Sequence, residues 1–327
     1  MELIKDLQIK FDTYLVSNKL SRNPINLYEP ADYILSLGGK RLRPVFTLLG
    51  SVLFGGKSEK ALDAAMAVEV FHNFTLIHDD IMDQAEVRRG YPTVHLKYNT
   101  NTAILSGDVM MIQAYQYLLC YDDPVLVKDM LQVFNKMAAE VCEGQQMDMD
   151  FETLETVTIG DYLEMITKKT SVLMGASFRL GAMIAGADIQ DQVHIYEFAK
   201  NFGIAFQLQD DVLDTFGDGS QVGKKIGGDI VQNKKTYLYL KAMELSDNSQ
   251  QDTLIQLYSN KNIGFNPENK IEQVTQIFES VNVREYTSQL IEAYKDLAIS
   301  HLMACKVDEN IKHQLIGFIN EMIYRDH

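Results

Sequence analysis

The chain has 327 residues, 46% hydrophobic and 23% charged, an ordinary globular balance with enough apolar surface for a sizeable core. A formal net charge of −15 argues against a nucleic-acid-binding face, and no run of about 18 apolar residues offers a membrane span. Three widely spaced cysteines, Cys120, Cys142 and Cys305, form no metal-binding pattern and read as the reduced thiols of a cytoplasmic protein.

Residues 1–11 mix charged and apolar side chains at helical spacing and lack the apolar block and cleavage site of a signal peptide. Residues 37–43 break the pattern with Gly38 and Gly39 and lead into Lys40, Arg41 and Arg43. The stretch 61–82 is rich in Ala, Val, Leu and Met and predicts an apolar helix that runs into His78-Asp79-Asp80-Ile81-Met82-Asp83. Residues 84–92 link it to the next helix and carry Arg88 and Arg89. Further helices are predicted at 102–119, 126–142, 159–184, 190–213 and 235–245, and 270–324 adds two or three amphipathic ones. The segment 215–235 is rich in glycine and carries Lys224, Lys225, Lys234 and Lys235; long loops of this kind often serve as lids. Sustained period-two alternation is absent. The expectation is an all-α fold, one helical bundle, with a single domain over residues 1–327 and no internal repeat.

The acidic total hides local basic clusters. Four of the eight arginines fall at positions 41, 43, 88 and 89. An acidic surface with such clusters suggests a specific anion site, because the planar guanidinium binds phosphate oxygens two at a time.

Asp79 and Asp83 are four residues apart, so both carboxylates leave one face of the helix and repel each other. A divalent cation would offset that repulsion, and hard oxygen ligands suit magnesium. A lone motif of this kind is most often a solvated helix end. Here it recurs as Asp210-Asp211-Val212-Leu213-Asp214, again closing an apolar helix, and the pair points to a metal site.

Taken in order, the motifs resemble those of the trans-isoprenyl diphosphate synthase family over nearly the whole chain. They are Gly38-Gly39-Lys40-Arg41-Leu42-Arg43-Pro44, His72, the first Asp motif with Arg88-Arg89-Gly90, Lys169-Thr170, Phe206-Gln207 with the second Asp motif, then Lys224 and Lys234. The resemblance implies a helical bundle around an active-site cavity, a homodimer, and about three magnesium ions held by Asp79, Asp80, Asp83, Asp210, Asp211 and Asp214. In that reading Asp79, Asp83 and Asp210 are direct ligands, and the other three act directly or through water. Gly39, Lys40, Arg43, His72 and Arg89 would bind isopentenyl diphosphate. Arg88, Lys169, Thr170, Gln207, Lys224 and Lys234 would face an allylic diphosphate, with Lys169 and Lys224 counted among the catalytic groups and Arg325 helping to close the site. A histidine on an apolar helix is ordinarily a satisfied core residue, so the ligand role of His72 rests on the resemblance, and His78 has no role of its own.

Two departures stand out: Ser171 where many members of the family have glycine, and Gly228 where many have a lid lysine. A terpene cyclase or a head-to-head synthase would not need the first glycine-arginine motif, and an inactive regulatory subunit would be expected to lose aspartates. The implied product is geranylgeranyl diphosphate (C20), with farnesyl diphosphate (C15) next. By the resemblance, the growing chain runs from the aspartates down along the helix that carries them and stops at Phe74 as its floor, five residues before Asp79 and roughly one and a half turns deeper, with Phe71 below it. Thr75, at the fourth position, is small where C15 formers tend to carry an aromatic.

Overall fold

The computed structural model describes residues 2–217, 226–259 and 266–324. In chain order the helices are α1 (Glu2–Ser17), α2 (Ile25–Ser36), α3 (Leu42–Leu53), α4 (Leu62–Met82), α5 (Val94–Lys97), α6 (Thr100–Leu118), α7 (Pro124–Phe151) and α8 (Ile159–Ile166). They continue as α9 (Val172–Ile184), α10 (Ile189–Phe216), α11 (Gly228–Val231), α12 (Tyr237–Leu245), α13 (Asn248–Leu257), α14 (Pro267–Ser280), α15 (Val283–Ala304) and α16 (Glu309–Ile323). The all-α expectation holds, with one small exception. Residues 84–92, predicted as a plain link, form a hairpin in which β1 (Val87–Arg88) pairs antiparallel with β2 (Tyr91–Pro92). Arg89 and Gly90 make its two-residue turn, and both have positive φ, 53° and 80°, as the twist of a tight hairpin requires.

The chain divides into two compact units. The first comprises Met1–Lys136, Leu173–Tyr196 and Ala304–Ile311. Here α4 packs against α3 and α6, and α6 also against α2. Phe11, Phe46, Phe71, Phe134 and Phe178 are fully buried in this unit. Pro44 lies in the first turn of α3, where its missing N–H costs no helical bond.

The second unit comprises Met137–Val172, Glu197–Met303 and Lys312–His327. Tyr162, Phe198, Phe202 and Phe278 fill its interior, and α14 packs against α11, α12 and α13. The predicted helix 159–184 is broken: α8 and α9 are joined by a π-helical turn, Thr167–Ser171, which bears Lys169 and Thr170. Such single-turn widenings occur often at functional sites. Ser171 is fully buried, and a Cβ on Gly203 of α10 would come 2.9 Å from its Cα. The same Cβ would also meet Ser171 Cβ and Oγ at 2.9 Å, so Gly203 leaves the space that the serine side chain, expected from the resemblance to be a glycine, occupies.

The segment 215–235, read as a loop, lies partly outside the described residues (218–225). Its described end is ordered around α11. Buried Lys270 donates to the carbonyl of Ile230 and to the side chain of Asn233, capping that short helix with a cation at its negative end.

Candidate active site

Both Asp motifs occupy the last turns of long apolar helices, α4 and α10. That is the negative end of the helix macrodipole, the costly end for a carboxylate. Neither helix has a basic residue in its last turn. Each motif thus gathers hard oxygen donors where a cation would remove both the dipole penalty and the mutual repulsion. Among the described residues no group of three or more His, Cys, Asp or Glu side chains converges as a closed cage. Magnesium does not require one, because it takes one or two carboxylates and completes its shell with water and substrate phosphates. The donor set fits that ion.

In the first unit, Asp79 is half-buried, and Asp83 is exposed as the residue capping α4, its N–H bonded to the carbonyl of Asp79 at 2.8 Å. Asp80 is buried and held in the fork of Arg88, whose Nε donates to both carboxylate oxygens at 2.9 and 2.8 Å and whose Nη2 donates to Oδ1 at 2.7 Å. Arg88, expected to face the allylic diphosphate, is here engaged by Asp80.

The residues expected to bind isopentenyl diphosphate gather around Arg43, His72 and Arg89. Arg43 Nη1 lies 3.1 Å from His72 Nε2. A guanidinium only donates, so His72 Nε2 accepts and the imidazole proton sits on Nδ1. Burial first, then the charges of Arg43, Arg89, Arg88 and Arg41, hold the His72 pKa well below the usual histidine range, so the ring is neutral. Burial also lowers Arg43 to about 10, and its Nε is buried without a hydrogen-bond partner among the described residues. Arg89, raised on the hairpin turn, donates to the carbonyl of Gly38. A Cβ on Gly39 would fall 2.9 Å from the Arg89 guanidinium carbon, and Gly39 itself has φ 126°. The φ alone calls for glycine, and the close guanidinium would have to shift for any side chain there. Lys40 is exposed beside them.

Arg41 belongs elsewhere. The sequence groups it with the anion-binding arginines, but its left-handed backbone (φ 50°) turns the side chain inward. It pairs with buried Glu69, donates to the carbonyl of Leu35 and reaches Asp12 at 3.5 Å. It anchors the glycine turn to α4.

The second unit brings five predicted residues, Lys169, Thr170, Gln207, Asp211 and Lys234, onto one cavity of about 160 Å³. Thr170 Oγ1 donates to Gln207 Oε1 at 3.3 Å, Gln207 Nε2 donates to Asp211 Oδ1 at 3.0 Å, and the Tyr162 hydroxyl donates to Asp211 Oδ2. Asp211 is buried, and desolvation together with neighbouring Asp229 pushes its pKa up to about 8 despite the bonds from Tyr162 and Gln207 and the charge of Lys234. Lys169 pairs with Asp148 at 2.5 Å. Asp210 and Asp214 are half-buried, and Asp214 Oδ2 accepts the backbone N–H of Asp229 at 2.9 Å. Gly228, the site of the absent lysine, stands directly over Asp214, since a Cβ there would come 3.2 Å from its Oδ1. Lys224 and Arg325 lie outside the described residues.

The cavity residues that escaped sequence reasoning include Asp148, Tyr162, Asp229 and Asn233. No local pattern marks Tyr162, which finds Asp211 across 49 positions of chain. Asp148 lies in a polar stretch of α7 that also holds Glu140, Glu143 and Asp150, and nothing local singles it out.

The polyprenyl synthetase family profile matches residues 24–280. A short chain isoprenyl diphosphate synthase of Methanocaldococcus jannaschii is 42% identical over 237 residues, 72% of each chain. A geranylgeranyl diphosphate synthase of Sulfolobus acidocaldarius is 35% identical over 315 residues, 95% of this chain and 94% of that one. A crystal structure of a geranylgeranyl pyrophosphate synthase superposes with a TM-score of 0.94 at 44% identity, covering 98% of both chains. With its motifs in order, its helices in place and these likenesses spanning most of its length, the chain belongs to the polyprenyl synthetase family.

Proposed function

We propose that this chain is a magnesium-dependent short-chain prenyltransferase that joins isopentenyl diphosphate head-to-tail to an allylic diphosphate, with geranylgeranyl diphosphate as its main product. The observation that carries this reading is the convergence of Lys169, Thr170, Gln207, Asp211 and Lys234 on one cavity. The relatives named for geranylgeranyl diphosphate synthesis support the product.

The chain's own residues divide the work. Arg43, Arg89 and Lys40 supply positive charge, and neutral His72 adds a donor, enough to hold the isopentenyl diphosphate without a metal. Lys169 and Lys234 take the allylic diphosphate beside the aspartates. Bound magnesium would neutralise the charge that grows on the leaving diphosphate. As the allylic C–O bond breaks, its electron pair leaves with the diphosphate. The isopentenyl double bond attacks the allylic carbon, and the proton released from the adjacent carbon passes to the departed diphosphate. Thr170 and Gln207 present neutral polar groups to the reacting carbons, and Phe151, Met165 and Ile166 keep the cavity wall apolar.

The reading extends to a single domain acting as a homodimer in the cytoplasm. No helix among the described residues is long and apolar enough to cross a membrane. The test is direct. Incubation with magnesium, labelled isopentenyl diphosphate and an allylic primer, followed by extraction, should give labelled prenyl diphosphates with C20 dominant. Cyclised hydrocarbon from the allylic substrate alone, or no product, would overturn the proposal.

A further inference from the structure

Phe74 is almost fully buried in α4 and sits between two rings. On one side Phe71 meets it edge-on at 5.4 Å, and Phe71 in turn packs edge-on against Phe134 at 5.2 Å. On the other side His78 meets it at 4.9 Å and 71°. An aromatic ring held edge-on from both sides has one orientation.

The His78 ring is itself fixed. Its Nε2 lies 3.2 Å from the carbonyl oxygen of Ile104 on α6 and 3.9 Å from Asp108 Oδ1. Both are acceptors, so Nε2 carries the proton, the opposite tautomer to His72 on the same helix. Gly107 of α6 makes room for it: a Cβ there would lie 2.4 Å from Nε2. A rotation of this imidazole about its long axis would break the bond to Ile104, so the ring that flanks Phe74 is tethered to a neighbouring helix.

We propose that His78 is the positioning residue for product length: bonded to the carbonyl of Ile104, its ring clamps Phe74 in place as the floor against which the growing chain stops. This rests on the reading of Phe74 as that floor. The contacts of His78 are with Ile104, Asp108 and Phe74. It acts through Phe74, and it explains a histidine that neither diphosphate site requires.

The experiment compares Phe74→Ala, His78→Ala and the double variant by chromatography of the dephosphorylated products. His78→Gln serves as the milder change should His78→Ala cost the fold, as judged by thermal unfolding. The ratio of products longer than C20 to C20 should rise on the order of tenfold in His78→Ala, the lower end of what a methylene-sized change in a pocket produces. The double variant should match Phe74→Ala, because one residue acts through the other. If Phe74→Ala lengthens the product while both His78 variants keep the wild-type distribution, the clamp is wrong and the floor stands. Additive lengthening in the double variant also overturns the clamp. If Phe74→Ala itself leaves length unchanged, the floor is wrong and the clamp falls with it.

Discussion

The two Asp motifs share a pattern and a place in their helices, yet they treat the second aspartate differently. In α4, Asp80 is buried with a full positive charge in a three-bond grip from Arg88. In α10, Asp211 is buried with neutral donors, Tyr162 and Gln207, and with another carboxylate, Asp229, close enough to raise its pKa. The protein balances the charge of Asp80 itself. It pushes Asp211 toward its neutral form, so that the charged form waits on a cation. The same spacing of aspartates therefore has two electrostatic meanings, set by the residues around it, of which Tyr162 lies 49 positions from Asp211.

The largest expected effect tests what the motifs have in common. Asp79→Ala and Asp210→Ala should each lower turnover roughly 10³-fold or more while the circular dichroism stays helical. Near-normal turnover in either variant would break the two-motif reading.

The next separates the motifs. Arg88→Ala strands a buried carboxylate and should destabilise the fold by about 3–5 kcal/mol, measured by denaturant unfolding, with Asp80→Asn in the same chain restoring part of the loss. Tyr162→Phe removes one neutral donor from Asp211 and should cost about 1–3 kcal/mol. Equal losses would mean that the two aspartates are held alike after all.

A smaller effect concerns the division of substrates. Arg43→Ala should raise the KM for isopentenyl diphosphate roughly 10-fold or more and the allylic KM less, since it removes a charge-assisted contact worth about 1.5–3 kcal/mol. Lys169→Ala should do the reverse. Steady-state kinetics with each substrate varied in turn would show the split, and matching changes would undo the assignment.

The smallest concerns the π-helical turn. Gly203→Ala should cost about 1–3 kcal/mol by forcing a methyl group against Ser171, and Ser171→Gly in the same chain should recover only part of it, because the Cα of residue 171 stays 2.9 Å from that methyl.

Much of this was legible in the sequence because it is local. Apolar helical stretches ending in aspartates predict α4 and α10, and five of the cavity residues carry motif positions. Legibility fails where a backbone reversal or a remote partner decides. Nothing in the string Gly-Gly-Lys-Arg marks Arg41 as an inward anchor, because its destination depends on a left-handed φ and on Glu69, 28 positions away. Arg88 lies on a two-residue strand too short to show a period, and its grip on Asp80 needs the hairpin to fold back. The π-helical turn is invisible to a 3.6-residue pattern, since it adds residues without a breaker.

That turn bears on how this stretch of chain can vary in length. A π-helical turn holds one residue more than an α-helical turn, so removing one residue from 167–171 would let α8 and α9 fuse into a continuous helix with downstream side chains kept in phase. The fold would tolerate that deletion better than a deletion elsewhere in either helix. The site would not, because Lys169 and Thr170 reach their cavity only from the widened turn. A library of single-residue deletions should therefore show soluble but inactive protein at these five positions, and insoluble protein on both sides of them.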